Sequence, residues 1–154
     1  MLLQEWMTAI EPSTKHLNIL VVDDEAGTRS ALDMVLRLAG HHAIFARDGD
    51  EALDVFDHAE ARIDLIITDH AMARVSGLEL VRKLRERGFK GEIVVLTAYA
   101  GTIEEDEYRN LEIAGIMEKP FDLIELRKWI ECIHGAREDG VGLRATDFCW
   151  VRHR

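Results

Sequence analysis

The stretch Ile63-Asp64-Leu65-Ile66-Ile67-Thr68-Asp69-His70-Ala71-Met72-Ala73-Arg74-Val75-Ser76-Gly77 decides the fold of this chain. Its Leu65-Ile66-Ile67 segment is aliphatic and β-branched with no polar alternation, which suits a strand covered on both faces of a parallel sheet. Polarity then flips. Thr68-Asp69 puts a carboxylate where the strand should end, an irregular loop follows, and Gly77 precedes a helical pattern of Leu78, Leu80, Val81 and Leu84. Ligands of open α/β sheets bind at the carboxyl ends of the strands, so Asp69 is the first residue to ask about.

Outward from this unit the same alternation recurs. Leu17 to Val22 reads as a first buried strand closed by Asp23-Asp24-Glu25, and Thr28 to Ala39 as a helix ended by Gly40. His41 to Ala46 is a weaker second strand, and Asp48 to Ala59 a second helix. Glu92 to Leu96 is a fourth, continuous apolar strand ended by Thr97-Ala98-Tyr99. Ile103 to Ala114 is a strongly charged helix whose inner side is only Ile103, Tyr108, Leu111 and Ile113. Gly115 to Met117 is a short fifth strand closed by Glu118-Lys119-Pro120, and Leu123 to Ile133 a last helix. Five strands alternating with five helices make a βα repeat with few right-handed topologies open to it, and an α/β, flavodoxin-like three-layer sandwich with a five-stranded parallel sheet is expected.

The chain of 154 residues, 47% hydrophobic, accommodates one such domain. Its bounds are 17–134, after an N-terminal extension (1–16) with helical spacing of Leu3, Trp6, Met7 and Ile10, and before a glycine-rich and charged tail (135–154) expected to be flexible. A formal charge of -10 disfavours direct nucleic-acid binding. No apolar run approaches the ~20 residues of a membrane helix, so a cytoplasmic protein is expected, with Cys132 and Cys149 as reduced thiols.

Four strand ends carry unusual groups: Asp23 and Asp24, Asp69, Thr97 and Lys119. With a strand order of 2-1-3-4-5 the first and third strands are neighbours, ~4.8 Å apart, and three carboxylates converge at the topological switch point. Like charges that close need a cation, and Mg²⁺ (or Mn²⁺) takes hard oxygen ligands while keeping sites for water and a phosphate oxygen. Thr97 can offer a hydroxyl to that phosphate, and Lys119, two strands over, a long cationic arm. The implied chemistry is attack by Asp69 on phosphorus to give an acyl phosphate.

Val-Val-Asp-Asp-Glu at 21–25, Leu-Ile-Ile-Thr-Asp at 65–69 with Gly77 eight positions on, Leu-Thr-Ala at 96–98 and Lys-Pro-Phe at 119–121 are five ordered matches to one pattern. On them the chain resembles the receiver domain of bacterial two-component response regulators, of the single-domain type. The resemblance implies Asp69 as phospho-acceptor in a phosphorelay and Mg²⁺ held by Asp23, Asp24, Asp69 and the backbone carbonyl of Ala71. It implies phosphoryl contacts from Thr97 and Lys119 and a cis peptide before Pro120. The phosphoryl donor would be a histidine kinase or histidine phosphotransfer protein. Signalling, or a homodimer, would use the surface of the fourth helix, fifth strand and fifth helix. Catalysis would extend only to Mg²⁺-dependent self-phosphorylation and self-dephosphorylation.

This sequence departs from the pattern at Ile116, where the family has an aromatic that moves with the threonine, and at Ala73, where it often has proline. Thr97, Ile116 and Tyr99 are the switch candidates. Two rivals share the pocket. An aspartate-nucleophile phosphatase of the haloacid dehalogenase kind spaces its acids two apart after the first strand, whereas Asp23 and Asp24 are adjacent; a phosphorylation-independent binding module would bind partners without Asp69 chemistry. Among bland assignments, Glu25 caps the first helix, His41 and His42 point to opposite faces of a strand, His70 is a loop residue, and Glu104-Glu105-Asp106-Glu107 is a solvated helix start.

Overall fold

Short aliphatic runs make the strands, and period-2 alternation divides them between two apolar layers. The computed structural model describes residues 15–98, 101, 104–138 and 151–152. Its strands are β1 (Asn18–Val22), β2 (His42–Ala46), β3 (Leu65–Asp69), β4 (Glu92–Thr97), β5 (Gly115–Glu118) and a two-residue β6 (Val151–Arg152). Between them lie α1 (Ala26–Leu38), α2 (Gly49–His58), α3 (Gly77–Glu86), α4 (Glu105–Asn110) and α5 (Leu123–Glu138). All neighbours pair in parallel in the order β2-β1-β3-β4-β5-β6, so the expected five strands stand in the expected order and β6 extends the β5 edge.

One face of the sheet presents Leu20, Ile66, Ile93, Val95 and Ile116 to α2, α3 and Tyr108 of α4. The other presents Ile19, Val21, Ile67, Val94 and Met117 to Leu32 and Leu36 of α1 and to Leu126, Trp129 and Ile130 of α5. Burial of these side chains from both sides explains why β1, β3 and β4 read as unbroken apolar runs. In β2, at the edge, alternation returns: His42 and Ile44 are exposed, while His41 just before the strand is buried.

Side-chain oxygens at helix starts take up orphan backbone donors. Asp48 accepts from the Glu51 N–H at 2.8 Å for α2, and Ser76 from the Glu79 N–H at 3.2 Å for α3. Glu25 occupies the N-cap position of α1 but makes no capping hydrogen bond; its carboxylate instead accepts from the Thr28 hydroxyl at 3.2 Å. The fourth helix is also shorter than its sequence pattern. It stops at Asn110, where Leu111 and Glu112 turn and Glu112 adopts φ 55°, so Ile113 is buried from the approach to β5 and not from a helix face. That turn is held by Arg85 of α3. Its guanidinium donates to the carbonyls of Leu111 and Glu112 at 2.9 and 3.0 Å, and to those of Phe89 and Gly91 in the α3–β4 turn at 2.8 and 2.9 Å. The expectations placed on 1–14, Ile103 and most of the C-terminal tail fall outside the described residues.

Candidate functional site

Strand order decides which residues meet. Because β1 and β3 pair directly, with Val22 opposite Thr68, the residues that follow each strand share one rim. Asp23 is buried there and fixed from several sides. Its amide donates to the Ala46 carbonyl at 3.1 Å, its Oδ1 accepts the Glu25 amide at 2.8 Å, and its carbonyl accepts the Arg29 guanidinium at 2.8 Å. Asp24 beside it is exposed. Asp69, the last residue of β3, is buried, and the three residues can each offer a carboxylate oxygen within 4.8 Å of the others.

The loop after Asp69 is pinned to its neighbours. The His70 amide donates to the Leu96 carbonyl of β4 at 2.8 Å, and the His70 carbonyl accepts the Gly77 amide at 2.8 Å. Gly77 has to be glycine here: a Cβ would run into the Asp69 carbonyl oxygen and would lie 2.8 Å from the His70 Cα. Helix α3 thus begins in backbone contact with Asp69. Between them Arg74 takes a left-handed φ of 68°, and Ala71 and Ala73 are exposed.

From the other side, Thr97 is buried at the end of β4, and its carbonyl accepts the Lys119 amide at 2.6 Å. The Lys119–Pro120 peptide is cis. The lysine side chain crosses the rim and places Nζ 3.0 Å from Asp23 Oδ2 and 3.4 Å from Asp69 Oδ2. Burial pushes the Asp69 carboxyl up from its ordinary value, opposed by the Lys119 charge and reinforced by Asp23 and Asp24. For Lys119, burial alone would favour the neutral amine, but the hydrogen bond to Asp23 and the Asp69 charge outweigh it and hold the ammonium above the usual lysine range. One ammonium therefore faces three carboxylates. A donor set of carboxylate oxygens alone, with excess negative charge, fits a hard divalent cation.

The family model described as response regulator receiver domain matches residues 19–131. This chain belongs to the receiver domain family of response regulators. Response regulator MprA of Mycolicibacterium vanbaalenii is 38% identical over 132 residues, covering 84% of this chain and 56% of that protein. The chain thus spans about half the length of the curated relatives it matches. Among solved structures, the response regulator TrrA from Thermotoga maritima, in complex with Mg²⁺–BeF, superposes with a TM-score of 0.67 at 31% identity, covering 76% of this chain and 98% of that one. The chemotaxis protein CheY4 of Vibrio cholerae gives 0.71 at 29% identity, covering 77% and 99%.

In this receiver domain Ile116 is fully buried in the layer that also holds Tyr108 and Val95, away from the polar rim. Tyr99 lies outside the described residues. What sequence reasoning passed over is a link beside Asp69: Nδ1 of His70 lies 2.7 Å from the Tyr108 hydroxyl, and Nε2 lies 3.8 Å from a Glu104 carboxylate oxygen. The signal was present in two halves. His70 follows Asp69 directly, and Tyr108 is an inner position of a charged helix, but 38 residues separate them.

Proposed function

We propose that this receiver domain is phosphorylated on Asp69 by a histidine kinase or a histidine phosphotransfer protein, and that it signals by phosphorylation-dependent contacts of its α4–β5–α5 face. The observation that carries the reading is the crossing of Lys119 over the rim to both Asp23 and Asp69, at 3.0 and 3.4 Å, beside three convergent carboxylates. No structural role requires a partly buried ammonium to be brought from the far strand to an acidic cluster in excess of it, because a pair buried for stability alone is a poor stabiliser.

In the reaction an Asp69 carboxylate oxygen forms a bond to phosphorus while the phosphorus–nitrogen bond of the phosphohistidine donor breaks. The electron pair returns to the imidazole, which takes a proton from solvent. Lys119 meets charge on the equatorial oxygens, and the Thr97 hydroxyl lies at the adjacent strand end to donate to the same group. Asp23, Asp24, Asp69 and the Ala71 carbonyl would hold Mg²⁺, or Mn²⁺, which supplies charge neutralisation at the phosphoryl oxygens. Burial disfavours the charged form of Asp69, and Lys119 counters that penalty at the acceptor itself. Hydrolysis of the acyl phosphate by the domain would return it to the resting state. The Mg²⁺–BeF complex of the Thermotoga maritima neighbour supports this reading.

The test is incubation with acetyl phosphate and Mg²⁺ followed by intact-mass measurement. Wild type should gain one phosphoryl group and Asp69→Asn none; equal gain in both would overturn the assignment. Binding of a partner to wild type and Asp69→Asn with the same affinity, with and without acetyl phosphate, would instead favour a phosphorylation-independent module.

A further inference from the structure

We infer that the hydrogen bond between His70 and Tyr108 couples the acceptor loop to α4, so that the state of Asp69 is transmitted to the helix through this pair. The inference rests on Asp69 being the phospho-acceptor and adds the route by which its modification reaches the surface.

His70 is the residue next to Asp69, and its backbone has no freedom to respond: its amide is held by Leu96 and its carbonyl by Gly77. Its side chain is the part left to respond. The ring reaches Tyr108 edge-on, with centroids 5.7 Å apart and planes at 68°. The tyrosine is fully buried, and burial, with the Glu104 and Asp69 charges, holds its phenol protonated well above the ordinary range. The protonated phenol can donate to Nδ1 of His70, whose Nε2 is turned toward Glu104. Among the described residues, the side-chain hydrogen bond of the Tyr108 hydroxyl is the one to His70.

Adding a phosphoryl group to Asp69 places new negative charge and new acceptor oxygens one residue from that imidazole. An imidazole drawn toward them leaves Tyr108, and a buried hydroxyl without a partner is costly. The cost is relieved when the phenol moves toward water, and Tyr108 is the only buried residue of α4, so the helix moves with it. Glu104 and Glu107 flank it, the latter paired with Arg82 of α3, and these are exposed links that exchange readily with solvent. Tyr108 also packs in the same apolar layer as Ile116 of β5, so its displacement is felt by that strand. Ile116 itself has no polar group with which to sense the rim.

The experiment is hydrogen–deuterium exchange over Glu105–Asn110 in the full chain, with and without Mg²⁺ and beryllium fluoride, fluoride uptake being followed by fluorine NMR. Wild type should show a change in exchange of α4 on uptake. In Tyr108→Phe, which keeps the ring and deletes the donor, that change should shrink on the order of fivefold, the equilibrium factor of one neutral hydrogen bond. His70→Ala should behave alike, and His70→Asn, whose amide oxygen can accept from Tyr108, should recover the response. These partly exposed His70 variants carry the test should the tyrosine variant fold poorly. An unchanged α4 response in Tyr108→Phe and His70→Ala, with fluoride uptake intact, overturns the coupling and leaves the acceptor assignment standing. Absence of uptake in wild type overturns both.

Discussion

Helices α3 and α4 both leave strands that end in site residues, yet they are held by different means. Helix α3 follows Asp69, starts in backbone contact with it at Gly77, is capped by Ser76, and buries Leu78, Leu80, Val81 and Leu84. Helix α4 is six residues long, has no side-chain cap, and buries Tyr108 alone. Packing fixes the first, since apolar burial offers no alternative arrangement of equal depth. Directional polar contacts hold the second: the His70–Tyr108 hydrogen bond, the Arg82–Glu107 pair and the Arg85 clamp beyond its end. Such contacts can be exchanged for others with little net change in free energy. One side of Asp69 is held by apolar packing and the other by exchangeable polar contacts.

If that contrast is right, damage to α3 should cost far more stability than damage to α4. Leu80→Ala, at a fully buried position, should lower unfolding free energy by about 2–5 kcal/mol in urea titration. Gly77→Ala should cost about 1–3 kcal/mol by overpacking against Asp69 and His70, and on the proposed function should also slow phosphoryl uptake from acetyl phosphate because the Asp69 carbonyl must shift. Tyr108→Phe should cost only about 1 kcal/mol near neutral pH. Its clearer signature is alkaline: the folded phenol titrates above its ordinary value of 10.0, so the unfolded chain releases that proton first and wild-type stability falls as pH rises past 10.0. The variant should show a shallower decline, read by urea midpoints on either side of that pH. Arg82→Gln, which breaks a half-exposed pair between the two helices, should change stability by less than about 0.5 kcal/mol. A loss for Arg82→Gln or Tyr108→Phe as large as that for Leu80→Ala would erase the distinction.

The same contrast separates what the sequence made legible from what it did not. The strands of the central sheet were readable because burial on both faces leaves an unbroken aliphatic signature, as at Leu65-Ile66-Ile67. The site was readable because each of Asp23, Asp69, Thr97 and Lys119 follows or ends such a run, and the strand order alone brings them together. Helix α4 was not bounded correctly. Ile113 supplies an apolar residue at helical spacing, but the left-handed Glu112 before it marks the turn, and nothing in a glutamate announces that conformation. The His70–Tyr108 contact depends on where α4 settles, which local periodicity does not specify. Strand β6 is too short to carry a pattern at all.

Arg85 fastens the trailing end of α4. Four carbonyl oxygens from two turns converge on one guanidinium, two of them from the turn directly after α4. A rod riveted at its trailing end can only pivot there, so displacement would grow along its length toward Glu104. A partner that grips the leading, acidic end would therefore sense the full swing, while one that grips the trailing end would sense almost none.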